Sequence, residues 1–284
     1  MTLCDIISLL NKKEGVMLDK PIYDITDSEN ALETLVRLTD LKKEYWEHYI
    51  WETKMLSDDS WKSFQKIVER FDIHPTFDTD NLICHLQHIT TSADGCKHIK
   101  NKGLRDLRIT YEDTESELRR FLDEQGVKID IPNARLYFNN EDIGSIEYSY
   151  NNFSNDYHSK THRMWSVGRK FYYDFCVCGW FSFDHTDPYG GNVHERPEIL
   201  FNISEAIGKR IDKIWKDTHK CYVIKFTTEY NNICKDIRGD ERIDLLYRAF
   251  YVATYEPDER DALLKDGIFI PPENIISTER FDFK

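Results

Sequence analysis

The stretch CHLQHITTSADGCKHIKNKGLRDL, residues 84 to 107, places polar side chains where they can share a ligand. Side chains alternate along a β-strand, so a strand here puts Leu86, His88 and Thr90 on one face. An imidazole and a hydroxyl that face the same space can both hydrogen-bond to one bound molecule. The residues SADGCKHIKNK then predict a short helix that ends at Gly103. Together they predict a compact unit of strand, short helix and Gly-Leu turn.

This unit resembles the opening of the ADP-ribosyltransferase family, in which a strand bearing His-x-Thr or His-x-Ser precedes a short helix ending in Gly-Leu. The matching residues are LQHIT and HIKNKGL. In the branch of that family with a His-Tyr-Glu signature, the histidine holds an NAD ribose and the neighbouring backbone holds the nicotinamide amide. The resemblance implies that His88 positions NAD, that Thr90 supports it and that the main chain of Ile89 contacts nicotinamide. The family has glycine where this chain has Ile89, whose side chain narrows the path for nicotinamide.

The same resemblance implies an aromatic residue that stacks on nicotinamide from a later strand. The segment GRKFYYDFCVCGWF is predicted as that strand. Adjacent strand residues point to opposite faces, so only one of Tyr172 and Tyr173 faces the cleft. We favour Tyr173, because Phe171 and Phe175 share its face, and Tyr172 is the alternative.

The resemblance further implies a carboxylate that faces the scissile glycosidic bond, and Glu198 in HERPEILFNIS is the candidate. It is predicted to open an apolar strand after a Gly-Gly turn, at the rim of the cleft. There a fixed negative charge would stabilise the oxocarbenium-like ribose that nicotinamide leaves behind, and would orient or deprotonate the acceptor. Arg196, on the same predicted face, can bind pyrophosphate with two parallel hydrogen bonds. NAD is the only cofactor implied.

Two regions are predicted to carry these residues. Residues 26 to 73 show helical spacing of leucines after the capping residues Asp27 or Ser28, which predicts an N-terminal helical lobe over residues 1–79. Residues 80–284 predict an α+β domain with a mixed β-sheet of ADP-ribosyltransferase type. Its strands are predicted at NLICHLQHIT, ARLYFNN, KFYYDFCVCGWFSF, PEILFNI, CYVIKFTT, AFYVATY and IFIPPENI. Residues 139 to 168 show no sustained period and predict a long loop that acts as a lid.

Composition and charge bear on the partners. The chain has 284 residues and a formal net charge of -13, so a nucleic acid would need a local basic surface. HSKTHR and VGRK, within residues 158–170, offer one. The resemblance suits a toxin or phage-defence effector that modifies a nucleic acid or a protein and is held in check by an antitoxin. The longest apolar runs are too short to span a membrane and the start lacks a signal peptide, which predicts a cytoplasmic protein without membrane contact.

Other interpretations of the sequence remain, and some of them use the seven cysteines. Cys176 and Cys178, followed by His185 and His194, suggest a zinc site. Their spacing matches no common zinc-finger pattern, however, and we prefer to interpret the two cysteines as buried apolar side chains. A thiol hydrolase would pair Cys84 with His85 or Cys96 with His98, but neighbouring strand side chains point apart. A metal hydrolase using His194 and Glu195 lacks the two-histidine helical motif. A transferase-like module that binds a partner without catalysis is the remaining alternative.

Overall fold

The computed structural model describes residues 20–56, 59–184, 192–234, 240–255, 257 and 260–282. Its helices are α1 (Ser28–Thr39), α2 (Lys43–Leu56), α3 (Ser60–Phe71), α4 (Lys97–Lys102), α5 (Leu107–Glu112), α6 (Glu117–Glu124), α7 (Lys160–Tyr172), α8 (Glu198–Ile207), α9 (Ile211–Thr218) and α10 (Glu241–Thr254). Its strands are β1 (Ile22–Tyr23), β2 (Ile83–Ser92), β3 (Val127–Asp130), β4 (Arg135–Phe138), β5 (Glu141–Ser145), β6 (Cys178–Ser182), β7 (Lys220–Glu229), β8 (Arg260–Leu263) and β9 (Ile275–Arg280). Within these ranges no helix has the length and apolar character that crossing a membrane requires.

The main sheet is built around β2. Its strand order is β8-β6-β2-β7-β9 with antiparallel neighbours, and β1 pairs in parallel with the first residues of β2. Strands β2 and β7 stay in register along their whole length, from Ile83 opposite Glu229 to Ser92 opposite Lys220. Strands β3, β4 and β5 form a second, antiparallel sheet. The predicted α+β class is confirmed, and the ADP-ribosyltransferase type of fold stays a prediction.

Helices are confirmed over most of the stretch from 26 to 73. Helix α1 begins after Asp27, whose carboxylate accepts a hydrogen bond from the backbone N–H of Asn30. That is the usual role of an aspartate at this position. The helix ends at Asp40, where a φ of 56° turns the chain out of the helix and separates α1 from α2. One continuous helical pattern in the sequence is therefore two helices.

These helices share a hydrophobic core with the main sheet. The rings of Trp46 in α2 and Phe64 in α3 lie 6.1 and 5.7 Å from the ring of Phe250 in α10. All three are fully buried, in one cluster with Leu86 and Phe226 of the sheet. The N-terminal helices are thereby fixed against the sheet that carries His88. The division into a lobe at 1–79 and a domain at 80–284 stays a prediction.

A buried carboxylate anchors the chain after β1 to the sheet. Asp24 Oδ2 lies 2.7 Å from His85 Nδ1 and 2.8 Å from Lys225 Nζ, and Asp24 Oδ1 accepts a hydrogen bond of 2.6 Å from the Thr26 hydroxyl. Burial by itself would raise the pKa of Asp24, but these hydrogen bonds outweigh burial and hold the pKa well below its usual range. The carboxylate therefore stays charged at neutral pH.

Three segments that were predicted as strands are helical, which corrects the sequence interpretation. PEILFNI lies in α8, AFYVATY lies almost wholly in α10, and KFY at the start of KFYYDFCVCGWFSF ends α7. Only Cys178–Ser182 of that last segment is a strand, β6. A short apolar run suits a buried strand and a buried helix equally well. Helix α8 buries Ile199, Leu200 and Ile203, which is helical spacing.

The predicted lid over residues 139 to 168 is also corrected, because much of it has regular structure. It contains β5, a 3-10 turn at Tyr150–Asn152 and the first two turns of α7. Helix α7 begins after Ser159, whose hydroxyl accepts a hydrogen bond from the backbone N–H of His162. Gly168 in α7 lets the helix approach the chain after β5 closely, since a Cβ there would lie 1.7 Å from the Ile146 carbonyl oxygen.

Candidate functional site

A cavity of about 300 Å³ lies at the C-terminal half of β2. One wall is the strand from His88 to Ser92, and another is formed where α7 ends and α8 begins. The region from α4 to α6 closes a third side, and Trp215 of α9 lies at the back. The predicted strand and short helix therefore do line one space. Among the predicted site residues, His88, Ile89, Thr90 and Glu198 line this cavity.

His88 enters the cavity as a neutral imidazole. Its Nδ1 lies 2.7 Å from the backbone carbonyl oxygen of Cys178 on β6. A carbonyl only accepts hydrogen bonds, so Nδ1 carries the proton and Nε2 is left as an acceptor. Burial lowers the pKa of His88, although the bond to Cys178 opposes the shift. A neutral His88 can therefore accept a hydrogen bond from a ligand hydroxyl at physiological pH.

Glu198 reaches the same cavity from the first turn of α8, not from a strand. Its Oε2 lies 2.7 Å from Lys170 Nζ, which is also 2.7 Å from Asp174 Oδ2. The Lys170 side chain is 13% exposed, against 33% for Asp174 and 48% for Glu198. Burial opposes the charge of Lys170, but the two carboxylates outweigh burial and raise its pKa. We call these three residues the charged triad, whose formal charge is negative.

Two cysteines, one through its thiol and one through its backbone carbonyl, lie between His88 and the charged triad. Cys176 Sγ lies 3.6 Å from Asp174 Oδ1, and Cys178 supplies the carbonyl that binds His88. Burial is the main cause that raises the pKa of Cys176 to about 11 and that of Cys178 to about 12. Both thiols are therefore protonated and unreactive at neutral pH.

The metal and thiol alternatives gain no support from the described residues. No group of three or more His, Cys, Asp or Glu side chains is arranged there to hold a metal ion, and His185 lies outside the described ranges. Cys84 is fully buried, while the adjacent His85 binds Asp24. Burial raises the pKa of Cys96 to about 12. Cys96 therefore stays protonated at neutral pH and lacks the thiolate that a nucleophile requires.

A third carboxylate, besides those of Asp174 and Glu198, lies at the end of the cavity next to β2. Glu117, the first residue of α6, accepts hydrogen bonds from the Ser92 hydroxyl at 2.8 Å and the Ala93 backbone N–H at 2.6 Å. Its Oε1 also lies 3.2 Å from His219 Nε2. The His219 ring stacks on Trp215 with centroids 3.5 Å apart. These contacts fix the strand end and the tryptophan that line the cavity.

The remaining predicted site residues lie outside this cavity. Tyr172, the last residue of α7, donates its hydroxyl to the Ile131 carbonyl oxygen at 2.5 Å. Tyr173 follows it at the helix end and is 62% exposed. Arg196 is nearly buried, with its Nε 3.6 Å from Asp212 Oδ2. Since none of the three lies on a strand, the predicted alternation of the tyrosines and the shared face of Arg196 and Glu198 are both wrong.

Sequence reasoning missed the residues that surround Glu198. Lys170 lies in the last turn of α7 and Asp174 just after its end, where the backbone N–H of Asp174 still donates to the Arg169 carbonyl and the turn brings the two side chains together. On a strand, as predicted for this segment, the two side chains would share a face but lie too far apart to pair. Glu117 could have been placed from the sequence, because it follows Ser116, a typical N-cap residue, at the start of an amphipathic helix. That pattern indicates the helix start but not that Glu117 faces the cavity.

No protein-family model matches the chain, and neither does any curated protein or solved structure. The family resemblance therefore rests on LQHIT and HIKNKGL, and the chemistry has to be argued from the cavity itself.

Proposed function

We propose that this protein is an NAD-dependent ADP-ribosyltransferase whose reaction takes place in the cavity beside β2. One observation carries the proposal: Glu198 lines the same cavity as His88 and Thr90, although it is distant from them in sequence. They are the histidine, hydroxyl and carboxylate that the family resemblance implies. The setting that this resemblance suits is a toxin or phage-defence effector restrained by an inhibitory protein partner.

The cavity suits one end of a dinucleotide. A volume of about 300 Å³ is at the lower end of the range for small-molecule sites, so nicotinamide and its ribose would be enclosed and the rest would extend outward. Arg196 pairs with Asp212, and Lys170 is held between two carboxylates, so Arg105, which lines the cavity, would bind the pyrophosphate. The main chain of Ile89 would contact the nicotinamide amide, while its side chain packs against Trp180 and Phe183.

Each residue has a distinct role in this proposal. His88 Nε2 accepts a hydrogen bond from a ribose hydroxyl, and the proton on Nδ1 stays bound to the Cys178 carbonyl. The carboxylate of Glu198 stabilises the positive charge that develops on the ribose as nicotinamide departs. Lys170 holds that carboxylate in place before NAD binds. Tyr173 lies outside the cavity, and Trp215, which lines it, is 2% exposed and stacked on His219, so Trp215 closes the wall and does not stack on nicotinamide.

A binding module without catalysis is the second candidate function. Two observations favour it. The ion pair with Lys170 occupies one carboxylate oxygen of Glu198, which leaves that oxygen less available to the ribose, and Tyr173 is exposed outside the cavity instead of stacking on nicotinamide. In that case NAD would bind and stabilise the fold without releasing nicotinamide.

The two candidates are separated by incubating the protein with labelled NAD and separate pools of cell protein, RNA and DNA. We expect nicotinamide release and label transfer from wild type, and a loss of at least 100-fold in Glu198→Gln, in line with the loss of one electrostatic contact to a transition state. Glu205→Gln, on the same helix but outside the cavity, is the matched control.

Wild-type protein that is stabilised by NAD yet releases no nicotinamide would support the binding module. Folded wild type that neither binds NAD nor releases nicotinamide would refute both candidates.

A further inference from the structure

We propose that an exposed aromatic surface beside the cavity binds single-stranded RNA. The surface, here called the aromatic track, lies along one side of α7 and on the chain between β5 and α7. Its members are Tyr148, Phe153, Tyr157, His162, Trp165 and Tyr173.

The rings of the aromatic track contact one another in an unbroken series. Tyr157 lies 4.7 Å from His162, between ring centroids, and His162 lies 5.9 Å from Trp165. Trp165 lies 4.9 Å from Tyr148, which lies 5.6 Å from Tyr173. Such a series of rings can stack on successive bases of a nucleic-acid strand. Stacking on aromatic side chains depends little on the base sequence, because every base has an aromatic face.

The hydrophobic core does not require these rings. Helix α7 buries Met164, Val167 and Phe171 on its other side. On the aromatic track Tyr157 is 72% exposed and Tyr173 is 62% exposed, while Tyr148, His162 and Trp165 are half-buried. Large aromatic side chains that remain in solvent in a contiguous group are typical of a binding surface.

The charge around the aromatic track is opposite to that of the chain. Residues 148–173 carry four lysine and arginine residues and one aspartate, in a chain whose formal net charge is -13. Lys160 and Arg169 are exposed on α7, and neither forms an ion pair with any residue of the described ranges. Cations beside stacked rings are the combination that holds the phosphates and bases of a single strand.

The polar residues between the rings favour RNA over DNA. Asn151, Asn155 and His158 are exposed on the same segment. Their side chains can both donate and accept hydrogen bonds, which suits the 2'-hydroxyl that distinguishes RNA.

The aromatic track ends at the candidate site. Tyr173 is its last ring, and the next residue, Asp174, lines the cavity and belongs to the charged triad. An RNA strand bound on the aromatic track would thus extend to Glu198. That the RNA is the acceptor of ADP-ribose rests on the proposed transferase function, whereas the binding of RNA to the aromatic track does not.

The test measures binding of a fluorescein-labelled single-stranded RNA by anisotropy, without NAD. We expect Tyr148→Ala and Trp165→Ala each to raise Kd about tenfold, because a lost base stack of about 1.4 kcal/mol corresponds to that factor. Trp51→Ala, at a tryptophan that is 59% exposed on α2, is the matched control and should leave Kd unchanged.

Salt dependence tests the basic residues. In the double variant Lys160→Ala/Arg169→Ala, the slope of log K against log salt should become shallower by about 1.4, since each phosphate contact on a single strand contributes about 0.7. The double variant Lys62→Ala/Lys66→Ala removes two exposed lysines of α3 and should keep the wild-type slope.

Three results would overturn the inference: no binding by folded wild type at low salt, equal losses in the track and control variants, or tighter binding of DNA or duplex than of single-stranded RNA. RNA binding without nicotinamide release would refute the transferase proposal alone. Nicotinamide release without RNA binding would refute the RNA surface alone.

Discussion

Replacing Lys170 by methionine tests whether the charged triad is a real structural unit. Methionine keeps most of the apolar stem and removes the ammonium, so Asp174 and Glu198 lose their shared partner. Both carboxylates then face each other without a cation between them. We expect the variant to be less stable than wild type because two like charges repel and two charge-assisted hydrogen bonds are lost.

The size of the loss follows from the exposure of the three side chains. A buried hydrogen bond to a charged group contributes about 1.5–3 kcal/mol, while a solvent-exposed ion pair contributes about 0–1 kcal/mol. Lys170 is 13% exposed, but its partners are 33% and 48% exposed and are therefore screened by water. We accordingly expect the free energy of unfolding to fall by about 1–2 kcal/mol.

The assay is urea denaturation followed by tryptophan fluorescence, with Lys43→Met as the control. Lys43 pairs with Glu33 on the surface, where the side chains are 40% and 44% exposed, so its loss should leave the free energy of unfolding almost unchanged. A double-mutant cycle of Lys170→Met with Glu198→Gln should give a coupling of about 0.5–1 kcal/mol. Equal losses of unfolding free energy in the two lysine variants, or a coupling energy of zero, would refute the claim that the charged triad stabilises the fold.

Two further predictions concern the framework. Asp24→Asn should lower the free energy of unfolding by about 3 kcal/mol at pH 7, because it leaves the charge of Lys225 partly buried without its partner. Since the folded pKa of Asp24 is depressed, this stabilisation is fully present above the usual aspartate pKa and is lost as pH falls below about 4, so urea midpoints of wild type and variant should converge in acid. Gly168→Ala should cost about 3 kcal/mol in the same assay, because its Cβ would lie 1.7 Å from the Ile146 carbonyl oxygen. Ser166→Ala, in the same helix, should cost less than about 1 kcal/mol, and equal midpoints for the two alanine variants would contradict the close approach.

Local patterns predicted the elements whose signals lie within a few residues. The alternation around His88 and Thr90 predicted β2, and the residues before Gly103 predicted α4. The capping side chain of Asp27 predicted the start of α1. In each case the signal is a side-chain period or a backbone hydrogen bond that forms locally, so it requires no knowledge of distant residues.

Which apolar runs are helices, and which polar residues meet, depends on packing between segments that are distant in sequence. The apolar run after Glu198 packs as a helix because it has buried neighbours on several sides, a property that no period within the run reveals. The structure brings Lys170 to Glu198 and directs Arg196 to Asp212 instead of the cavity. Pairings between residues far apart in sequence depend on how helices pack and on which charges burial removes from water. The strand with His88 could therefore be predicted from local alternation, whereas the side chains that face it could not.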